Sequence, residues 1–194
     1  GDEVVIQSPV YFPFFHAIET HDRVVSTAPL REVQREERLH FEMDFDALEG
    51  AFARGASLFI LCSPHNPVGR VWRREELQRV AELAERYDVV VLSDEIHADI
   101  IFPGNRFVPY LSLGEAVERR SWATLAPSKT FNIPGLLTAY AVVPHTILRE
   151  RVKDAFERIG SHMPNLFSME ATIAAYEEGE GWLDELIPYL KGNY

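Results

Sequence analysis

Six residues with reactive or polar side chains follow apolar segments of the sequence, at the places where strands are expected to end. They are Tyr11, Asn66, Asp94, His97, Ser128 and Lys129. In an open α/β sheet the ligand binds outside the carboxyl ends of the strands, so these side chains can meet at one site. Their chemistry is coherent: a lysine can form an imine, an acid can keep a heterocyclic nitrogen protonated, an amide can bind a phenolic oxygen, and an aromatic ring can stack on another ring.

Lys129 carries the most specific of these predictions. It follows the apolar segment 122–125 closely, and a lysine in that position can be desolvated, so that it loses its proton more readily. The simpler alternative is a solvated loop lysine, which is the usual situation of this residue type. A phosphate-binding loop at residues 128–130 is excluded, because the glycines that such a loop requires upstream are absent.

The other candidates also have purely structural interpretations. Asp94 and Glu95 could both be solvated at the end of a strand, and we expect this for Glu95. Asn66 lies between two prolines and could cap a turn, and Tyr11 could fill the core beside the phenylalanines that follow it. His97 could bind a metal ion, but no second ligand stands at a suitable spacing.

Short β-type segments alternate with amphipathic helical segments, a pattern typical of an α/β fold with a mostly parallel sheet flanked by helices. We predict strands at residues 4–6, 23–27, 57–62, 89–92, 122–125 and 137–143. We predict helices at residues 12–20, 44–54 and 74–87 and from about 145 onward, with Asp44 as the N-cap of the second helix. No repeat or linker interrupts this pattern, so residues 1–194 are predicted to form one domain.

The composition excludes several classes of protein. The chain has 194 residues, of which 46% are apolar and 25% charged, as in globular domains. Its net charge of −11 argues against a nucleic-acid partner, because such binding relies on cationic contacts to phosphates. We find neither a candidate membrane span nor a signal peptide. The single cysteine, Cys62, cannot form an internal disulfide, so we expect a reducing, cytoplasmic location.

Three segments, in this order, resemble those of a known family. Residues 63–72 read SPHNPVGRVW, residues 93–99 read SDEIHAD, and residues 126–136 read APSKTFNIPGL. Together they resemble the large domain of fold-type I enzymes that use pyridoxal 5′-phosphate (PLP). Within the class I/II aminotransferase superfamily, the chain is most similar to the cystathionine β-lyase (carbon–sulfur lyase) group of the MalY/PatB type, and the resemblance covers essentially the whole chain.

The resemblance implies a role for each candidate that matches a family motif. Lys129 would form the Schiff base with PLP, and Asp94 would pair with the nitrogen of the pyridinium ring. Asn66 would bind the O3′ atom of the cofactor, and Tyr11 would stack on its ring. The candidates from separate strand ends would therefore belong to a single PLP site, with Lys129 as the catalytic residue.

Fewer residues indicate the subgroup. Typical aminotransferases of this fold carry a tyrosine at the position of His97 and a phosphate-binding arginine eight residues after the lysine, where this chain has Leu137. At both positions the chain is similar to the lyase group rather than to typical aminotransferases. Ala126 stands where many relatives have a phosphate-binding serine, so the resemblance assigns more of this contact to Ser128.

The resemblance implies a β-elimination in which Lys129 acts as general base. Substrates would be cystathionine or cysteine S-conjugates, and products a thiol, pyruvate and ammonia. The first alternative is a class I/II aminotransferase that uses the same lysine. The second is a non-enzymatic protein that regulates transcription through a protein partner. A nicotinamide-binding Rossmann domain ranks last, because the sequence contains no Gly-x-Gly-x-x-Gly motif.

The resemblance also bears on the extent of the protein. The chain corresponds to the PLP-binding large domain, truncated at both ends and without the small domain that carries a substrate-binding arginine in the family. We therefore expect the chain alone to be inactive, and the full-length enzyme to be a homodimer.

Overall fold

The computed structural model describes residues 1–36, 38–161 and 165–194. The strands within these ranges are β1 (Glu3–Ile6), β2 (Val24–Thr27), β3 (Arg31–Arg35), β4 (Arg38–Glu42), β5 (Leu58–Cys62), β6 (Val90–Asp94), β7 (Ser121–Leu125) and β8 (Tyr140–Val142). The α-helices are α1 (Pro13–Thr20), α2 (Phe45–Ala53), α3 (Arg74–Arg86), α4 (Glu115–Glu118), α5 (Pro127–Thr130), α6 (Thr146–Arg158), α7 (Leu166–Glu178) and α8 (Glu180–Gly192). Short 3₁₀ helices lie at Tyr110–Leu113 and Pro134–Leu136.

The main sheet has the strand order β2-β1-β5-β6-β7-β8, and its first five strands run parallel. The edge strand β8 pairs antiparallel with β7. Strands β3 and β4 form a separate antiparallel hairpin. The α/β class with a mostly parallel sheet flanked by helices is thereby confirmed.

Each face of the sheet buries its own apolar cluster. On one face, Leu48 of α2 and Leu77 of α3 pack with Phe59 and Leu61 of β5. On the other face, Ile18 of α1 packs with residues of β1 and β5. Coverage on both faces explains why the central strands are almost continuously apolar rather than alternating.

The two helices that cover the larger cluster begin where the sequence favours it. The Asp44 side chain accepts hydrogen bonds from the backbone N–H groups of Asp46 and Ala47 at 3.1 and 3.0 Å, which confirms its predicted role as N-cap. At the start of α3, the Glu76 carboxylate accepts a hydrogen bond from the Arg73 backbone N–H at 2.8 Å. Both contacts satisfy N–H groups that the first turn of a helix leaves without partners.

Several parts of the chain differ from the sequence prediction, among them the short helices α4 and α5, which were not predicted. The strand predicted at residues 137–143 is limited to Tyr140–Val142, because the 3₁₀ helix at Pro134–Leu136 is followed by Leu137 in the left-handed conformation, with φ at 50°. The β3–β4 hairpin was not predicted. The helices expected from about residue 145 onward are confirmed where the structure describes the chain, and residues 162–164 lie outside the described ranges.

Candidate active site

Neighbouring parallel strands bring candidate residues to one edge of the sheet. Tyr11 follows β1, Asn66 follows β5, Asp94 ends β6 and Lys129 follows β7. Because β1, β5, β6 and β7 are consecutive in the sheet, their carboxyl ends lie side by side. This arrangement is the one expected for a ligand site in an open α/β sheet.

Asp94 is a buried carboxylate held by two donors. Its Oδ1 atom accepts hydrogen bonds from the Thr124 hydroxyl at 3.3 Å and from the Ile96 backbone N–H at 3.4 Å. Burial raises the pKa of Asp94 above its ordinary value, while these two hydrogen bonds and the positive charge of Lys129 act in the opposite direction. A partner cation at this carboxylate would complete its stabilisation.

Lys129 is the third residue of α5 and is exposed. The desolvation that its position after an apolar strand made possible is therefore not found, and its exposure matches the simpler alternative of a solvated lysine. The preceding Ser128 is half-buried. The charge of Lys129 acts on both Asp94 and His97, which places its ammonium group within electrostatic reach of both side chains.

His97 faces a cavity beside the strand ends. The cavity has a volume of about 530 Å³, and Asn66, His97, Ile100 and Phe102 contribute to its lining. Burial lowers the pKa of His97, and the charge of Lys129 lowers it further, so both effects favour the neutral ring. Its Nε2 atom is buried and has no hydrogen-bond partner among the described residues. This nitrogen is a buried polar atom that the described residues leave unsatisfied.

The loop that carries Asn66 is fixed by the chain on either side of it. The Asn66 backbone N–H donates to Cys62 Sγ, and the Cys62 thiol donates to the carbonyl oxygen of Pro64, both at 3.4 Å. Farther along, His65 and Arg70 form a backbone bridge in which the His65 N–H donates to the Arg70 carbonyl at 2.8 Å. Burial raises the pKa of Cys62 to about 12, so the thiol keeps the proton that it donates.

Tyr11 is 37% exposed, so it does not fill the core as the structural alternative proposed. Its ring meets that of Phe14 edge to face at a centroid distance of 5.5 Å, which leaves ring surface open to solvent. Two residues before Tyr11, the carbonyl oxygen of Pro9 lies 2.9 Å from Nε2 of His65. Because a carbonyl can only accept, Nε2 carries the proton of this ring.

His65 joins two parts of the candidate site, a role that the sequence prediction missed. Its buried ring lies edge to face against Trp72, and the Trp72 indole N–H donates to the Cys62 carbonyl at 2.9 Å. Through its hydrogen bond to the Pro9 carbonyl, His65 connects the segment that leads to Tyr11 with the loop that carries Asn66. The available signal was a histidine directly before Asn66 in a loop with two prolines.

Glu95 is 3% exposed, so the expectation that it is solvated at the strand terminus was wrong. Its Oε1 atom accepts hydrogen bonds from the Ser93 hydroxyl and the Tyr110 backbone N–H, both at 2.8 Å. Burial raises the pKa of Glu95 despite these bonds. The side chain points away from Asp94 because successive residues of an extended chain alternate between faces.

The turn that carries Lys129 is held by residues distant in sequence. The Thr130 hydroxyl donates to Asp99 at 2.8 Å, and the indole N–H of Trp182 in α8 donates to the Thr130 carbonyl at 2.9 Å. The ring of Phe131 meets Tyr176 of α7 edge to face at 5.4 Å. The C-terminal helices therefore contribute to the position of α5.

The family model for aminotransferase class I and II matches residues 1–180. The chain belongs to this family. Individual relatives within the family give a more specific comparison.

Relatives in the group indicated by the sequence match the whole chain. The chain is 41% identical over 194 residues to cystathionine β-lyase PatB of Bacillus subtilis, and 39% identical over 196 residues to protein MalY of Escherichia coli. It covers 49% and 48% of these relatives, so it spans about half of their length. The crystal structure of cystalysin from Treponema denticola, which contains PLP, superimposes with a TM-score of 0.91 at 33% identity, covering 97% of this chain and 47% of cystalysin.

Within residues 1–36, 38–161 and 165–194, no helix combines the length and apolar character needed to span a bilayer.

Proposed function

We propose that the full protein is a PLP-dependent carbon–sulfur β-lyase that acts on cystathionine or related cysteine S-conjugates. The observation that carries the proposal is the buried Asp94 carboxylate within electrostatic reach of Lys129, on neighbouring strand ends. These two groups are the ones PLP chemistry requires at opposite ends of the cofactor ring. The similarity to cystathionine β-lyase PatB favours a lyase over the other reactions of the family.

The residues present fit PLP. The buried Nε2 atom of His97 has no hydrogen-bond partner among the described residues, and Asn66 and His97 line a cavity that Tyr11, Asp94, Ser128 and Lys129 do not line. The donor set combines an amine, a carboxylate, an amide, a hydroxyl and an exposed aromatic ring. In this proposal, the residues that hold the cofactor are Lys129 covalently, Asp94 at the ring nitrogen, Asn66 at the phenolic oxygen, Tyr11 on the ring face, Ser128 at the phosphate, and His97.

The reaction requires a proton to move and one bond to break. When bound, PLP supplies an electron-accepting ring that stabilises negative charge at Cα of the amino acid. Asp94 keeps the proton on the ring nitrogen, and Lys129 accepts the Cα proton as general base. The Cβ–S bond then breaks, with the electron pair leaving on sulfur, which takes up a proton. One water is consumed overall, and the products are the thiol, pyruvate and ammonia.

Three further properties belong to the same proposal. The chain is the PLP-binding large domain of the enzyme, and the full protein is a homodimer in the cytoplasm. The buried thiol of Cys62 is compatible with a reducing compartment. Neither nucleic acid nor a membrane is a partner in this proposal, and the chain carries a net charge of −11.

The products test the proposal directly. The full protein is incubated with PLP and cystathionine in the absence of a keto acid, and pyruvate and thiol are measured. A lyase releases both in equal amounts. Amino transfer that appears only after a keto acid is added would instead establish the aminotransferase alternative. If PLP binds but neither reaction occurs, the regulatory alternative is favoured.

A further inference from the structure

The sheet places a hydroxyl group directly against the candidate partner of the cofactor nitrogen. Thr124 of β7 is the register partner of Asp94 of β6, so both side chains project from the same row of the sheet. The Thr124 hydroxyl donates to Asp94 Oδ1 at 3.3 Å, and the Ile96 backbone N–H reaches the same oxygen at 3.4 Å. Both donors therefore hold one oxygen of the carboxylate.

Thr124 is itself fixed in place. Its backbone carbonyl accepts a hydrogen bond from the Glu95 N–H at 2.8 Å, directly beyond the last pair of the ladder. The Glu95 side chain is buried and bonded to the Ser93 hydroxyl and the Tyr110 N–H. A threonine in a strand also has few accessible rotamers, because it is branched at Cβ. The hydroxyl is thus presented to Asp94 by a rigid backbone.

We propose that Thr124 is a positioning residue for Asp94, which holds Oδ1 so that Oδ2 faces the ring nitrogen of the bound cofactor. This inference rests on the proposed PLP site and goes beyond it by assigning a function to a residue that only supports the cofactor contact. Packing alone does not require the hydroxyl, since valine has the same shape and suits a strand equally well. Hydrogen bonds to a carboxylate favour its ionised form, which is the form that can pair with a protonated ring nitrogen.

The test compares Thr124→Val with Thr124→Ser in the full protein loaded with PLP. The affinity for PLP is measured, and protonation of the ring nitrogen is followed by NMR of ¹⁵N-labelled PLP across a pH series. We expect the valine variant to bind PLP on the order of tenfold more weakly, because it loses a hydrogen bond to a charged group. We also expect its ring nitrogen to lose the proton at lower pH, and the serine variant to behave like the wild type.

Thr27→Val serves as the matched control, because Thr27 is an exposed threonine at the end of β2 and has no contact with Asp94 in the structure. If Thr124→Val does not fold, Thr124→Ala removes the same hydroxyl, together with the γ-methyl, without placing an apolar methyl group against the carboxylate. Unchanged affinity and unchanged nitrogen protonation in these variants would overturn the inference while leaving the proposed function intact. Failure of the wild type to bind PLP would overturn both.

Discussion

The strand-end region and the C-terminal helices hold their side chains in contrasting ways. The strand-end region comprises residues 63–72, 93–97 and 124–130. The C-terminal helices are α6, α7 and α8. In the strand-end region, polar groups such as His65 and Glu95 are almost fully buried and hydrogen-bonded. In the C-terminal helices, large apolar side chains such as Leu166 and Tyr189 are exposed, at 81% and 68%.

The strand-end region preorganises the candidate site, whereas the C-terminal helices support the site from outside it. Buried hydrogen-bonded groups fix the geometry of Asp94 and Asn66 before any ligand arrives, and such groups are costly to disturb. The C-terminal helices contact the site mainly through Trp182 and Tyr176, which meet the end of α5 and the residue after it. Changes in the strand-end region should therefore affect chemistry and stability far more than equivalent changes in the C-terminal helices.

The largest expected effect on chemistry comes from a pair of lysine variants. Lys129→Ala in the full protein should abolish pyruvate release from cystathionine, because no other group at the site can serve as the covalent and basic lysine. Its melting temperature should change little, since Lys129 is exposed. Lys153→Ala, the same change in α6, should leave the rate of pyruvate release unaltered. A comparable loss of pyruvate release in both variants would contradict the distinction between the strand-end region and the C-terminal helices.

The largest expected effect on stability comes from a pair of tryptophan variants. Trp72 is fully buried and donates to the Cys62 carbonyl, so Trp72→Ala should lower the free energy of unfolding by about 3–5 kcal/mol. Trp182 is 49% exposed, and Trp182→Ala should cost about 1 kcal/mol through loss of its bond to Thr130. Urea unfolding of both variants measures the difference. Equal costs would show that the C-terminal helices are packed as tightly as the strand-end region.

A smaller effect should appear in the pH dependence of stability. Burial lowers the pKa of His65 below its ordinary value of 6.5, so the unfolded chain takes up a proton at higher pH than the folded one. This contribution to stability is fully present above pH 6.5 and is lost as the pH falls toward the folded pKa. Urea unfolding at pH 7.5 and 5.5 should show that acidification lowers the free energy of unfolding less in His65→Gln than in the wild type.

His145→Gln, at the beginning of α6, is the matched control for this prediction and should retain the wild-type loss. Identical losses in the wild type and His65→Gln would contradict the role of the buried ring. Because the wild type is compared with a variant under the same conditions, contributions from Asp94 and Glu95 cancel.

The smallest expected effect is at Cys62, which should not react with an alkylating reagent in the folded protein. Burial raises its pKa to about 12, so almost no thiolate is present at pH 8. Iodoacetamide should leave the folded protein unmodified and alkylate the same thiol in urea, as measured by intact mass. Rapid alkylation of the folded protein would indicate that the loop carrying Asn66 opens readily.

The central sheet and the identity of the strand-end residues were predictable from sequence. Strands β5 and β6 are apolar because both of their faces are covered, and that pattern is visible without a structure. Polar residues directly after such strands lie at one edge of a parallel sheet. The N-cap role of Asp44 was predictable for a similarly local reason.

The features that escaped prediction depend on contacts distant in sequence. The β3–β4 hairpin carries so many charged residues that no apolar alternation reveals it. The burial of Glu95 depends on Tyr110, fifteen residues away, and the pairing of Asp94 with Thr124 depends on strand register. The single turn of α5 that carries the exposed Lys129 was not indicated by the sequence.

The role proposed for Lys129 is tested most directly by identifying the residue that binds the cofactor. The full protein is incubated with PLP, reduced with borohydride, digested and analysed by peptide mass spectrometry. We expect a pyridoxyl mass on the peptide that contains Lys129 and none on the peptides that contain Lys153 or Lys191. A folded protein with no label at Lys129, or with label only on another lysine, would contradict that role.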